Sequence, residues 1–192
     1  MHARPAAWED RSRPLRVLEI VCAASWIAMS GAGCTLLNPF AWRSDPRDHP
    51  AHPLTDEQTL AQVVEPAKQI DNAAHLDGVS GGASLTSCND QGDPPYQGRV
   101  TMSFLIHGEP DVYFRNVADA MAASGWNRGD PPGQHSFGTT LNKDGVVANI
   151  GFVPSNHDYG QILIYGECRN TTNHRDDRSG GDTDITGQLP QH

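Results

Sequence analysis

Apolar residues recur at helical steps in two places along the chain and alternate with polar ones in several others. Leu60, Val63, Val64, Ala67, Ile70 and Ala74 share one helical face. Thr55-Asp56-Glu57-Gln58 directly precedes them. That string fits a capping box, in which the Thr hydroxyl and the Gln side chain each cover a free amide. A helix is therefore expected to start near Thr55. Pro66 lies inside it and lacks a backbone donor, so the helix is expected to bend there. The apolar stripe continues past Pro66, which favours one bent helix over two. A second helix is predicted from about Pro110 to Ser124, where Tyr113, Phe114, Val117, Ala120 and Met121 repeat at three- and four-residue steps. Proline suits its first position. Gly125 can end it in a left-handed conformation, with Trp126 folding back on the apolar face.

Strands are expected between and after the helices. Residues 83–88 form the first. In 99–107, Val100, Met102, Phe104 and Ile106 lie on one face, and Thr101, Ser103 and His107 on the other. Leu105 departs from the pattern. Phe137, Thr139 and Leu141 alternate before Asn142-Lys143-Asp144-Gly145, where Asp-Gly signals a hairpin. Val146, Ala148, Ile150 and Phe152 continue on the return strand, which Pro154 stops. A turn is expected over Asn156 to Gly160, and a last strand over 161–168 with Ile162 and Ile164 facing inward. The predicted order is α-β-β-α-β-β-β. Strands with a single apolar face suit an α+β fold, an antiparallel sheet of about five strands with two helices packed on one face.

The ends of the chain read differently. Arg4, Arg11, Arg13 and Arg16 precede a mostly apolar run, Ile20–Met29, and then Ser30-Gly31-Ala32-Gly33-Cys34. A positive start, a short apolar run and small residues at a cut site make an export signal over residues 1–33. The ending resembles a bacterial lipobox, which makes Cys34 the lipidation site and the first residue of the mature chain. A Leu or Val is usual three positions before such a Cys, and here Gly31 stands there, with Glu19 at the edge of the apolar run. Plain secretion and an uncleaved anchor are the alternatives. Residues 34–54 carry Pro39, Pro46, Pro50 and Pro53 without apolar periodicity and read as a semi-extended tether. Residues 169–192 hold only Ile185 and Leu189 from the large aliphatic set and are expected to form a disordered polar tail. The folded domain is then 55–168.

Four cysteines sharpen this picture. Cys22 leaves with the signal and Cys34 carries the lipid. Cys88 and Cys168 remain in a compartment where thiols oxidise, so a disulfide between them is the simplest assignment. The loop-entropy model gives roughly 4–5 kcal/mol for so long a closure. Two metal ligands are the competing reading, without a C-x-x-C or a nearby His to support it. The net charge of −9 and the lack of a basic cluster argue against nucleic acid as a partner. No apolar stretch reaches the length of a comfortable membrane span.

Candidate chemistry is sparse. The segment from Cys88 to Gly98 is rich in carboxylates and amides, and reads either as an oxygen-lined cation site or as a structured turn. The nine His residues show neither His-x₃-His spacing nor pairing with Cys, so no metal site is expected. No Gly-x-Ser-x-Gly or phosphate-binding loop occurs, so no catalytic residue and no cofactor are expected. Tyr96, Trp126, Phe137 and Tyr165 are either core aromatics or the lining of an apolar groove.

The strings His-Pro-Leu-Thr-Asp-Glu-Gln from His52, Thr-Ser-Cys-Asn-Asp-Gln-Gly-Asp-Pro-Pro-Tyr-Gln-Gly from Thr86 and Gly-Glu-Cys-Arg-Asn-Thr-Thr from Gly166 resemble the mycobacterial LppJ lipoprotein family. The likeness spans about 50–172. It implies an exported lipoprotein anchored through Cys34, with Cys88 paired to Cys168, and it brings no catalytic residue. The resulting expectation is a non-catalytic module at the cell membrane, lipid-anchored on the extracytoplasmic face. Its partner would be an envelope protein or a small apolar ligand. The alternative is an envelope hydrolase with His107 or His135 beside a carboxylate.

Overall fold

Helix α1 (Asp56–Ala74) starts at the capping box read from the sequence. The Thr55 hydroxyl accepts from the Gln58 amide, and the Gln58 side chain accepts from the Thr55 amide. The helix runs unbroken through Pro66 and ends on His75 in the left-handed conformation. The computed structural model describes residues 52–131 and 138–192. The expected signal over 1–33, Cys34 and residues 34–51 of the tether lie outside the described residues, as do His135 and Phe137.

The other elements are β1 (Ser80–Ser87), β2 (Tyr96–Leu105), α2 (Pro110–Ala123), β3 (Asn127–Arg128), β4 (Thr139–Lys143), β5 (Val146–Val153), β6 (Asn156–Tyr165) and β7 (Thr183–Asp184). They form one sheet in the order β3-β4-β5-β6-β2-β1-β7, with every neighbouring pair antiparallel. The α+β class holds. The strand count rises from about five to seven because β3 and β7 are two residues long, too short to show alternation.

Both helices pack on one face. Val63, Ala67 and Ile70 of α1 and Val117, Ala118 and Met121 of α2 meet Val100, Met102 and Phe104 of β2 and Ile162 and Ile164 of β6 in one core. Gly98 lets α1 lie close, since a Cβ there would sit 2.4 Å from the Thr59 carbonyl oxygen and 2.7 Å from Val63. Asp144 and Gly145 take φ of +49° and +81°, the paired left-handed residues of a tight hairpin between β4 and β5. Trp126 folds back as expected: it is buried, and its amide donates to the Met121 carbonyl.

Two regions differ from expectation. Residues 156–160 are strand, because the β5–β6 turn closes already at Pro154 and Ser155 and the hairpin extends past the core as an exposed polar arm. Residues 169–192 are packed against the domain. β7 pairs with β1, and Ile185 and Leu189 are only 3% and 4% exposed, seated over Gly81. Averaged composition hid this. Two well-placed aliphatic side chains suffice to dock a segment when a strand edge offers backbone partners.

The disulfide joins Cys88 to Cys168, as the sequence led one to expect. β1 and β6 flank β2, so the chain leaving each arrives at the same end of the sheet. Among the described residues no helix is long and apolar enough to cross a membrane.

Candidate functional site

With both helices on one face, the other face of the sheet carries side chains that are neither core nor fully exposed. Register places Arg99, Tyr165, Val147 and Asn142 in one row across β2, β6, β5 and β4. Thr101, Leu163, Asn149 and Thr140 form the next row. Alternation along each strand produces this: Met102 and Ile164 point to the helices, so Thr101 and Tyr165 point away.

A cleft of about 380 Å³ opens on this face, lined by Gln97, Asn142, Val147, Asn149 and Tyr165 together with Gly145 and Gly166. Among the described residues no charged side chain lines it. The Asn149 carbonyl accepts from the Thr140 hydroxyl at 2.9 Å, and the Asn142 amide donates to the Gly129 carbonyl at 2.8 Å. These bonds fix how the two amides present their remaining donors and acceptors. Its volume lies toward the small end of ligand clefts.

Among the described residues the aromatic groove does not form. Trp126 belongs to the helix-side core, Tyr96 is buried against His174 with its hydroxyl on the Gly92 carbonyl, and Tyr165 lies on the open face of the sheet. The hollow beside Trp126, about 240 Å³, is of mixed character, with Gln62, Gln69, Lys143 and Asp144 on its walls beside Pro66 and Val146.

The segment after Cys88 is a structured turn. Asn89 organises it, donating to the Asp93 carbonyl at 3.0 Å and accepting from the Gln91 and Asp93 amides. The Tyr96 hydroxyl donates to the Gly92 carbonyl.

His107 does lie beside a carboxylate, with Nε2 2.9 Å from Asp77, but both side chains are more than half exposed. The tightest His cluster is one that sequence reading placed in the tail. His174 is 4% exposed along its side chain, with Nδ1 2.7 Å from Asp177 and Nε2 3.1 Å from Asp56. The Asn170 amide also donates to Asp56, at 2.6 Å. Both ring nitrogens are engaged, so this cluster clasps the chain after β6 to the first turn of α1 and leaves no nitrogen for a substrate. Bonds from the Ser179 hydroxyl, then from His174 and the Ser179 amide, hold Asp177 down to about 2. Asp177 therefore stays ionised throughout the neutral and mildly acid range. A small hollow nearby is lined by Arg99 and Arg175, but these guanidinium groups already pair with Asp182 at 2.9 Å and Asp93 at 3.2 Å. Apart from His174 and Asp177, three residues apart, the members of these pairings lie far apart along the chain, where sequence spacing gives no sign of them.

Among the described residues no cluster of three or more His, Cys, Asp and Glu side chains is arranged to hold a metal ion. One buried acid stands out. Asp71 is fully buried, and neither carboxylate oxygen has a hydrogen-bond partner by geometry. Burial pushes its pKa up, against the pull of His192, the Leu76 amide and His75.

Fold and site together define a disulfide-closed α+β domain with helices on one face and an open cleft on the other. The family described as "Putative lipoprotein LppJ" matches residues 55–188. A "Putative lipoprotein LppJ" from Mycobacterium bovis is 52% identical over 182 residues, covering 93% of this chain and 96% of its own. Two from Mycobacterium tuberculosis strains are 51% identical over 188 residues, covering 97% of this chain and 99% of theirs. The chain belongs to the LppJ lipoprotein family. No solved structure matches it. The family match runs to 188 and so takes in β7 and Ile185, in keeping with a domain that continues past Cys168.

Proposed function

We propose that this lipoprotein is a non-catalytic binding module, held on the extracytoplasmic face of the cell membrane by lipid on Cys34, that takes a small uncharged polar ligand in the cleft of its open sheet face. The observation that carries the reading is the cleft: three amide side chains and a tyrosine ring converge on it among Pro131, Val146 and Val147, and no charged group among the described residues lines it. Such a lining suits a molecule that hydrogen-bonds without ionic groups, rather than the apolar ligand expected from the sequence. Support for the compartment comes from the disulfide, a crosslink at home outside the cytosol, and from relatives named as lipoproteins. In this reading residues 1–33 are the signal and 34–54 the lipidated Cys and tether.

Two measurements test it. Intact mass of the membrane fraction should show a chain starting at a diacylated Cys34; a soluble chain retaining residues 1–33 refutes the anchor. Ligand-observed NMR against a panel of neutral polyols, sugars and amides should find binders that Val147→Trp, which fills the cleft, abolishes while the melting temperature stays put. Binders unaffected by Val147→Trp, or none in the panel, refute the cleft.

A further inference from the structure

At the far end of α1 two histidines meet that the sequence keeps 117 residues apart. His75 caps the helix and is exposed; His192 lies against it with its side chain about one quarter exposed. Their rings meet edge to face, with centroids 4.6 Å apart and the two Nδ1 atoms hydrogen-bonded at 3.3 Å, a bond that an ion between them would replace. The other ring nitrogen of His192, Nε2, faces the buried Asp71 carboxylate at 3.7 Å.

We propose that His75 Nδ1 and His192 Nδ1 form a two-histidine site for a tetrahedral divalent transition ion, Zn²⁺ by its geometry, with Asp71 orienting His192 from behind. Three observations converge. First, Zn–N bonds of about 2.0–2.1 Å at a tetrahedral angle put two nitrogens about 3.3–3.4 Å apart, the spacing seen here. At the same bond length a square-planar cis pair would need about 2.9 Å, which disfavours Cu²⁺. Second, a carboxylate behind a metal-binding imidazole supports it, and Asp71 faces the far nitrogen of His192 at 3.7 Å, a charge contact that would have to shorten to become a hydrogen bond. Third, the site sits at the C-terminal end of α1, where the helix dipole favours a cation and the last turn has no basic side chain. The pair supplies two protein donors, one fewer than open zinc sites usually have, so two waters would complete a tetrahedral shell. No bond is made or broken beyond coordination, and each ring gives one neutral nitrogen lone pair.

The test is calorimetric titration of the full chain, free of any affinity tag, with zinc chloride at pH 7.5. One saturable site is expected. His192→Ala and His75→Ala should each weaken it at least tenfold, and Asp71→Asn about tenfold, within the 10–100-fold range for outer-shell partners. His107→Ala, a surface histidine elsewhere, should change nothing. Cobalt substituted for zinc should give the visible bands of a tetrahedral ion. Absence of saturable binding, or binding that survives His192→Ala, overturns the proposal. So does a cobalt spectrum of octahedral type. Because the cleft lies on another part of the domain, Val147→Trp should leave zinc binding intact, so each proposal can fail without the other.

Discussion

A carboxylate taken out of water favours its protonated form, and burial does this to Asp71 more strongly than His192, the Leu76 amide and His75 oppose it. Its folded-state pKa is raised, so over the interval just above the ordinary carboxylate pKa the native chain binds more protons than the unfolded one. Stability contributed at this position is present at lower pH and is lost as pH rises through that interval. Metal-free Asp71→Asn should therefore melt higher than the wild type at pH 7, with the gap closing toward pH 4. Melting curves across that range check it, and a lower melting temperature for Asp71→Asn at pH 7 contradicts it. Nothing around Asp71 in the sequence signals this, since its burial depends on His192, from the other end of the chain. Local chemistry, by contrast, was legible. The Thr55–Gln58 capping box, the Asp144-Gly145 hairpin and the backfolded Trp126 depend on a few consecutive residues, and each stands where its spacing placed it.

Elements with a sustained period were readable for the same reason. α1, α2, β2 and β5 each bury one face of a long segment, and their alternation survives any local exception such as Leu105. The segment after Cys168 behaves otherwise. It contributes one short strand, one turn of 3₁₀ helix (Thr186–Gln188) and two buried aliphatic residues, a pattern too brief for periodicity to find. Its docking rests on contacts with β1 and α1, which one-dimensional reading does not see. Ile185→Ala should cost about 2–4 kcal/mol. Hydrogen exchange should then show residues 181–192 losing protection while β2 and β6 keep theirs. Uniform loss across the sheet would mean that the segment is part of the global folding unit.

At the scale of the whole molecule, the candidate cleft was out of reach of sequence reading because it is a property of the sheet order. Tyr165, Val147 and Asn142 become neighbours only when β6, β5 and β4 line up. The same order brings Cys88 and Cys168 together. Replacing both by Ala should lower unfolding free energy by about 2–5 kcal/mol, read from urea denaturation. A change near zero would mean that the hydrogen bonds around Asn170 and Tyr96 already hold that end closed. The end carrying the crosslink is also where the leading segment enters. The Leu54 amide donates to the Arg169 carbonyl at 2.9 Å, and the Arg169 guanidinium donates to the His52 carbonyl. Tension drawn along that leading segment is delivered one residue from a covalent bond. Peeling that starts there would be arrested at Cys168 before β6 can leave β2, a mechanical stop against any pull applied through that segment.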